Sequence, residues 1–173
     1  EEITEKHVAA IKAEAEKRKL PQVHPLLGRE DDPGLPLACV DMAYMHFVYH
    51  HLSRPREMLR AIWRSLKPGG YLVVVDRNRG TLRDWVPRQE RKDKHFWLAE
   101  TTVVREAREE GFRFIACPDD WSESPEPFVL VFQRPQHQTQ PGCDPDPFPP
   151  LEPGKVAALL APSGRFHYPV FIA

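Results

Sequence analysis

Apolar and polar positions along this chain repeat with periods that change several times, and each change marks an element. From Thr4 to Leu20, the residues Val8, Ile11, Ala15 and Leu20 recur at helical spacing among Lys and Glu, with Thr4 placed as an N-cap and Pro21 as the stop. Gln22 to Leu27 reads as a short strand, and Pro25 suits it to a sheet edge. After the polar turn Gly28 to Pro36, the run Ala38 to Met45 is apolar apart from Asp41, as expected of a strand buried on both faces of a parallel sheet. Ser53 as N-cap and Pro55 in the first turn open a helix whose apolar face is Met58, Leu59, Ile62 and Leu66. Lys67, Pro68, Gly69 and Gly70 end it.

Tyr71 to Val75 is the most β-branched run in the chain and predicts a central strand ending on Asp76. A basic and aromatic connection, Arg77 to Leu98, leads to a helix over Thr101 to Glu110 with Val103, Val104 and Ala107 on one face. Phe112 to Ala116 and Phe128 to Phe132 then read as strands, with Trp121 in the loop between them. Strand, helix, strand, helix, strand in this order predicts an α/β fold, a mostly parallel sheet covered by helices and closed by an antiparallel pair.

Composition adds a boundary. Nine of the 19 prolines lie from Pro135 onward, so residues 1–134 are expected to hold the domain and residues 135–173 a proline-rich linker and tail. A weak helix at Lys155 to Leu160 and the apolar end Tyr168 to Ile172 raise two alternatives, a disordered tail or one that docks back over exposed apolar surface. With 24 Lys and Arg against 25 Asp and Glu, no global field draws the chain to nucleic acid or to anionic lipid. No apolar run approaches the roughly 20 residues that span a bilayer, and a cytoplasmic protein is expected. Cys39, Cys117 and Cys143 lie far apart, without a CxxC pair or His at metal-ligand spacing, so reduced thiols and no metal are expected.

The segment Val40-Asp41-Met42-Ala43-Tyr44-Met45-His46-Phe47-Val48-Tyr49-His50-His51-Leu52, followed by a helix and by Leu66-Lys67-Pro68-Gly69-Gly70-Tyr71-Leu72-Val73-Val74-Val75-Asp76, closely resembles class I, Rossmann-like S-adenosylmethionine-dependent methyltransferases. In that family a strand ending near the reaction centre leads into a "YHHL"-type helix start, and "LKPGG" begins the next strand. The resemblance runs from Glu1 to about Arg134 and implies S-adenosylmethionine as cofactor. By position it gives Glu2 the ribose hydroxyls, a task for which a carboxylate is suited because it accepts two hydrogen bonds from a vicinal diol. It sets Glu30 and Asp31 against the adenine amino group, with Met45 also at the cofactor. Each acid reads equally as a solvated loop charge.

The family's glycine-rich loop has no match in the chain. Its sheet order, 3-2-1-4-5-7-6, then leaves a vacancy beside the Val40 strand about 10 Å wide, at roughly 4.8 Å per strand step. The resemblance is thus to a methyltransferase incomplete at its N-terminal side, lacking the first strand or strands. A trimmed sequence, a partner chain or second copy completing the sheet, and a rearranged fold are the alternatives.

Methyl transfer from a sulfonium is an in-line displacement on an activated carbon, so positioning and water exclusion matter most and a general base is optional. His46 and His50 are the candidates to take a proton from a substrate hydroxyl, amine or thiol, while His50 and His51 serve equally as helix-capping groups. Tyr49, Asp76 and His95 are candidates for the substrate pocket, with surface, capping or packing roles as the plain alternatives. Without an "NPPY"-type motif the expected acceptor is a small molecule rather than nucleic acid. The rival expectation is a methyltransferase-like binding or regulatory module without catalysis. A nicotinamide-dependent oxidoreductase has no GxGxxG motif to support it.

Overall fold

The computed structural model describes residues 4–77, 99–118, 127–136 and the backbone of 169–172. Helix α1 spans Glu5–Lys17, capped by the Thr4 side chain accepting from the His7 amide at 3.3 Å. Strand β1, Val40–His46, leads through a short 3-10 turn, Tyr49–His51, into helix α2, Pro55–Ser65. Strand β2, Leu66–Arg77, follows at once. Helix α3, Glu100–Glu109, and strands β3, Arg113–Ala116, and β4, Pro127–Gln133, come next, and β5, Pro169–Ile172, is the last element described.

The five strands form one sheet in the order β3-β4-β2-β1-β5. β1 is parallel to β2, with Met42 opposite Tyr71 and His46 opposite Val75, while β4 runs antiparallel to both β2 and β3. One face packs under α2 and α3: Ala43, Met45, Leu72, Val74, Leu130 and Phe132 meet Met58, Leu59 and Ile62 of α2 and Val103 and Ala107 of α3. Met42, Val73, Val75, Val129 and Val131 form a second buried cluster on the other face. A strand buried on both sides has no polar face, which is why Leu72 to Val75 read as an unbroken apolar run.

Ser53 does not cap α2. Arg54 stands at the N-cap position without a side-chain cap, and the Ser53 hydroxyl instead donates to Glu30. The far end of α2 is held by Arg134, whose guanidinium donates to the carbonyls of Trp63, Arg64 and Leu66 and lies 3.9 Å over the Trp63 ring. The Trp63 and Arg64 carbonyls lie in the last turn of α2, where no later amide of the helix reaches them, so a side chain from β4's exit takes the place of a C-cap, with the Ala38 amide also donating to Arg64.

Two expectations are corrected. Gln22 to Leu27 is not a strand: Gln22 closes a turn, residues 23–26 have no regular structure and Leu27 makes only an isolated bridge, with Leu26 and Leu27 exposed at 41% and 50%. A strand exists only against a neighbour that takes its hydrogen bonds, and none of the described strands lies beside it. The edge of β1 expected to face a vacancy is taken instead by β5, which pairs with it in parallel along residues 42–45. Lys155 to Leu160, Trp121 and Cys143 lie outside the described residues; Cys39 and Cys117 lie within them, and neither is in a disulfide. No helix among the described residues is long and apolar enough to cross a membrane.

Candidate functional site

β1, β2 and β5 are mutually parallel, so their carboxyl ends share one edge of the sheet, and the sequence places its histidines there. β1 ends on the exposed His46. Phe47 then turns the chain in a left-handed conformation, φ 54°, while its amide still donates to the Val75 carbonyl at 2.8 Å. A non-glycine residue held at positive φ costs free energy, and such strain persists only where surrounding contacts impose it. Here the contacts are the His46 ring at 4.1 Å from the Phe47 ring and the Arg77 guanidinium 4.4 Å above it. Tyr44 stacks on His46 at 6.0 Å, and its partial burial raises the phenol pKa above the ordinary value.

The turn after Phe47 sends consecutive side chains apart. Tyr49 goes inward, fully buried, and its hydroxyl donates to Glu106 of α3 at 2.7 Å. His50 points to Asp76 at the end of β2: its ring Nδ1 lies 2.8 Å from Oδ1, and its backbone N–H donates to Oδ2 at 3.1 Å. The Arg77 amide donates to the same Asp76 carboxylate. An ionised carboxylate only accepts, so Nδ1 carries the hydrogen and Nε2 is the basic nitrogen of the His50 ring. Both side chains are 3% exposed. His51, outside the pair, is exposed with its ring 3.9 Å from that of His50.

The remaining predicted residues are placed elsewhere. Met45 is fully buried under α2 and α3. Glu30 accepts from Ser53 at 2.8 Å, and Asp31 pairs with Arg54 at 2.9 Å, so both acids are engaged with the start of α2. Glu2 and His95 lie outside the described residues. Glu106 was not foreseen, although an acid at a position flanked by Val103 and Ala107 on a core-facing helix stripe is a signal that would have singled it out.

Among the described residues these groups do not by themselves make a cradle for S-adenosylmethionine. Gly69 and Gly70 stand at the entry to β2, the opposite end from Asp76, and Gly111 leads out of α3. A Cβ on Gly70 would come within 2.9 Å of the Lys67 carbonyl and 3.0 Å of the Asp41 carbonyl, so that glycine serves close strand packing. What the carboxyl edge offers is an oriented imidazole beside an aromatic rim.

Residues 2–74 match the family model described as a methyltransferase domain. Among solved structures, the fold is similar to a SAM-dependent methyltransferase from Aquifex aeolicus, with a TM-score of 0.62 and 24% identity over 76% of this chain and 65% of that one. It is also similar to an S-adenosylmethionine-dependent methyltransferase from Mesorhizobium loti, with a TM-score of 0.55 and 17% identity over 76% and 77% of the two chains. Phosphoethanolamine N-methyltransferase 2 from Haemonchus contortus, solved with S-adenosyl-L-methionine, gives a TM-score of 0.57 and 14% identity over 74% of this chain and 41% of that one. The chain thus spans 65% of the length of the Aquifex protein. No curated protein is similar to it in sequence. The chain has the class I, Rossmann-like fold of S-adenosylmethionine-dependent methyltransferases, and its residues 2–74 match the model of a methyltransferase domain.

Proposed function

We propose that this domain serves methyl transfer from S-adenosylmethionine to a small-molecule acceptor, with His50 as the group that takes the acceptor's proton. The observation that carries the reading is the His50–Asp76 pair at the carboxyl edge of a methyltransferase sheet. The cofactor, when bound, supplies a methyl group already activated by a sulfonium, so the chain's part is to position the acceptor, exclude water and hold a proton. Asp76 fixes both the backbone and the ring of His50, which sets the tautomer and leaves Nε2 as the acceptor of a hydroxyl, amine or thiol proton. Burial of the pair keeps bulk water from the imidazole. His46, with Tyr44 and Phe47, lies at the rim of the same edge. The reduced thiol of Cys39 suits a reducing, cytoplasmic setting.

The incomplete cradle favours one other reading, a binding or regulatory module that keeps the fold without the reaction. Calorimetric titration with S-adenosylhomocysteine separates the two, because methyl transfer requires saturable binding and the module reading predicts none at millimolar ligand. With an acceptor in hand, His50→Gln is expected to lower kcat by about 100-fold or more while leaving cofactor affinity unchanged. Asp76→Asn is expected to lower kcat and shift the pH profile. An unchanged kcat in His50→Gln would remove the proton-acceptor role.

A further inference from the structure

Glu106 is an acid that α3 turns inward. Arg105, Arg108 and Glu109 of the same helix stand in solvent, whereas Glu106 is 8% exposed and lies on the core-facing stripe with Thr102, Val103 and Ala107. Its carboxyl group accepts from the hydroxyl of Tyr49, a side chain fully buried in the core cluster that also holds Met58, Leu59, Val103 and Ala107. Taking a carboxyl group and a hydroxyl out of water costs free energy that their mutual hydrogen bond only offsets. An apolar pair would fill the same space without that cost, so stability alone does not account for these two polar groups.

What the pair fixes is the rotation of the turn between β1 and α2. In a 3-10 turn with three residues per turn, successive side chains point about 120° apart, so the directions of Tyr49, His50 and His51 are set together. With Tyr49 tied inward to Glu106, His50 meets Asp76 and His51 points outward. Two identical imidazoles stand side by side here, their rings 3.9 Å apart, and the chemistry of Asp76 does not distinguish them. Apolar packing holds the Tyr49 ring in the core without a preferred direction, whereas a hydrogen bond is directional.

We infer that Glu106 is a positioning residue: through the Tyr49 hydroxyl it sets the rotation of the 49–51 turn, and so presents His50 rather than His51 to Asp76, in the tautomer with the hydrogen on Nδ1. Fixing register is the best-attested use of buried polar groups in a core. The use of the positioned Nε2 in proton transfer rests on the methyl-transfer reading; the positioning itself rests on geometry, and it is measured without cofactor or acceptor.

The test uses the full chain with nitrogen-15 in its histidine rings. NMR reads the ratio of the Nδ1–H to the Nε2–H tautomer of His50, whose signals are identified by their loss in His50→Gln. In the wild type the Nδ1–H form is expected to predominate. Glu106→Leu and Tyr49→Phe each remove the hydrogen bond and are expected to lower the ratio about tenfold, the factor that one hydrogen bond supports. Glu106→Gln retains an acceptor oxygen and is expected to stay within about twofold of the wild type. Phe132→Leu removes volume from the same core cluster at a distance in sequence from the turn, and is expected to leave the ratio unchanged.

A wild-type ratio in Glu106→Leu would overturn the inference. So would an equal fall in Phe132→Leu, because the effect would then follow core packing rather than the Tyr49–Glu106 bond. A fall in Glu106→Gln as large as that in Glu106→Leu would overturn it as well. If Glu106→Leu does not fold, Tyr49→Phe takes its place, and an unchanged ratio there has the same force. Absence of S-adenosylhomocysteine binding to the wild type, read by calorimetry, overturns the methyl-transfer reading alone and leaves the positioning in place.

Discussion

The hydroxyl of Tyr49 donates to the carboxylate of Glu106 at 2.7 Å, joining residues 57 positions apart inside the core. It ties the turn after β1 to the helix that covers the other end of the sheet, so the direction of His50, the next residue, depends on a contact made by its neighbour. Removing the donor leaves a buried carboxylate one hydrogen bond poorer. Tyr49→Phe is expected to lower the unfolding free energy by about 1–3 kcal/mol. Urea denaturation checks this, and an unchanged midpoint would mean that the hydroxyl contributes nothing to the fold.

Arg134 replaces a helix cap. Its three hydrogen bonds to the carbonyls of Trp63, Arg64 and Leu66, and its stacking on Trp63, are made at the junction where α2 passes into β2. Burial lowers its pKa from the ordinary arginine value, and the guanidinium is charged at neutral pH. Arg134→Ala is expected to destabilise by about 1–3 kcal/mol, and Arg134→Lys to recover less than half of that, because a tetrahedral ammonium lacks the flat guanidinium that stacks on Trp63 while one of its nitrogens reaches the carbonyls. Thermal unfolding of the two variants side by side measures the difference.

Gly70 and Gly69 are adjacent but differ in what they permit. A methyl at Gly70 meets two backbone carbonyls, Lys67 and Asp41, which cannot move without parting β1 from β2. At Gly69 the nearest atoms belong to the Gln136 side chain, although φ there is 84°. Gly70→Ala is expected to destabilise by about 1–3 kcal/mol from overpacking against backbone, and Gly69→Ala by about 1 kcal/mol from the left-handed conformation. A larger loss at Gly69 than at Gly70, measured by chemical denaturation, would contradict this order.

Phe132 sits fully buried where β4 crosses under α3, with Phe112 and Phe114 edge-on at 6.4 Å and 5.7 Å. Phe132→Ala removes an aromatic ring from a packed cluster and is expected to cost about 3–5 kcal/mol. Phe132→Leu should cost less than half of that if volume rather than ring geometry dominates, and calorimetric unfolding of both variants decides between the two contributions.

Tyr44 gives the fold a dependence on alkaline pH. Burial raises its pKa in the folded state above the unfolded value, so the neutral phenol is favoured by folding. Its contribution is fully present below about pH 10 and is lost as the pH rises through the raised value. Tyr44→Phe is expected to flatten the stability profile above pH 10 without changing it at pH 7, as read from urea midpoints across the range.

The local code of this chain was sufficient for its elements. Thr4, the stripe Met58, Leu59 and Ile62, and the run Leu72 to Val75 each specify a helix cap, a helix face or a buried strand through contacts within a few residues, so spacing alone reveals them. The resemblance carried by Val40 to Asp76 likewise pointed to the fold, because strand, turn and glycine pair are contiguous in sequence. His50 and Asp76 were each legible as candidates, since both follow strand ends.

What only the tertiary structure decided are matters of direction and partnership. Tyr49 and His50 adjoin in one turn, yet one enters the core to meet Glu106 and the other meets Asp76, a divergence set by groups 57 and 26 positions away. Gln22 to Leu27 has strand-like composition but no neighbour among the described strands, and backbone hydrogen bonds, not composition, make a strand. β5 shows the converse: four residues at the far end of a proline-rich tail become part of the sheet because β1 is buried on both faces and its free edge needs a partner. Hydrogen bonds between distant segments carry no periodic signal in either one, so the chain states which segments are able to pair, and only the folded molecule states which of them do.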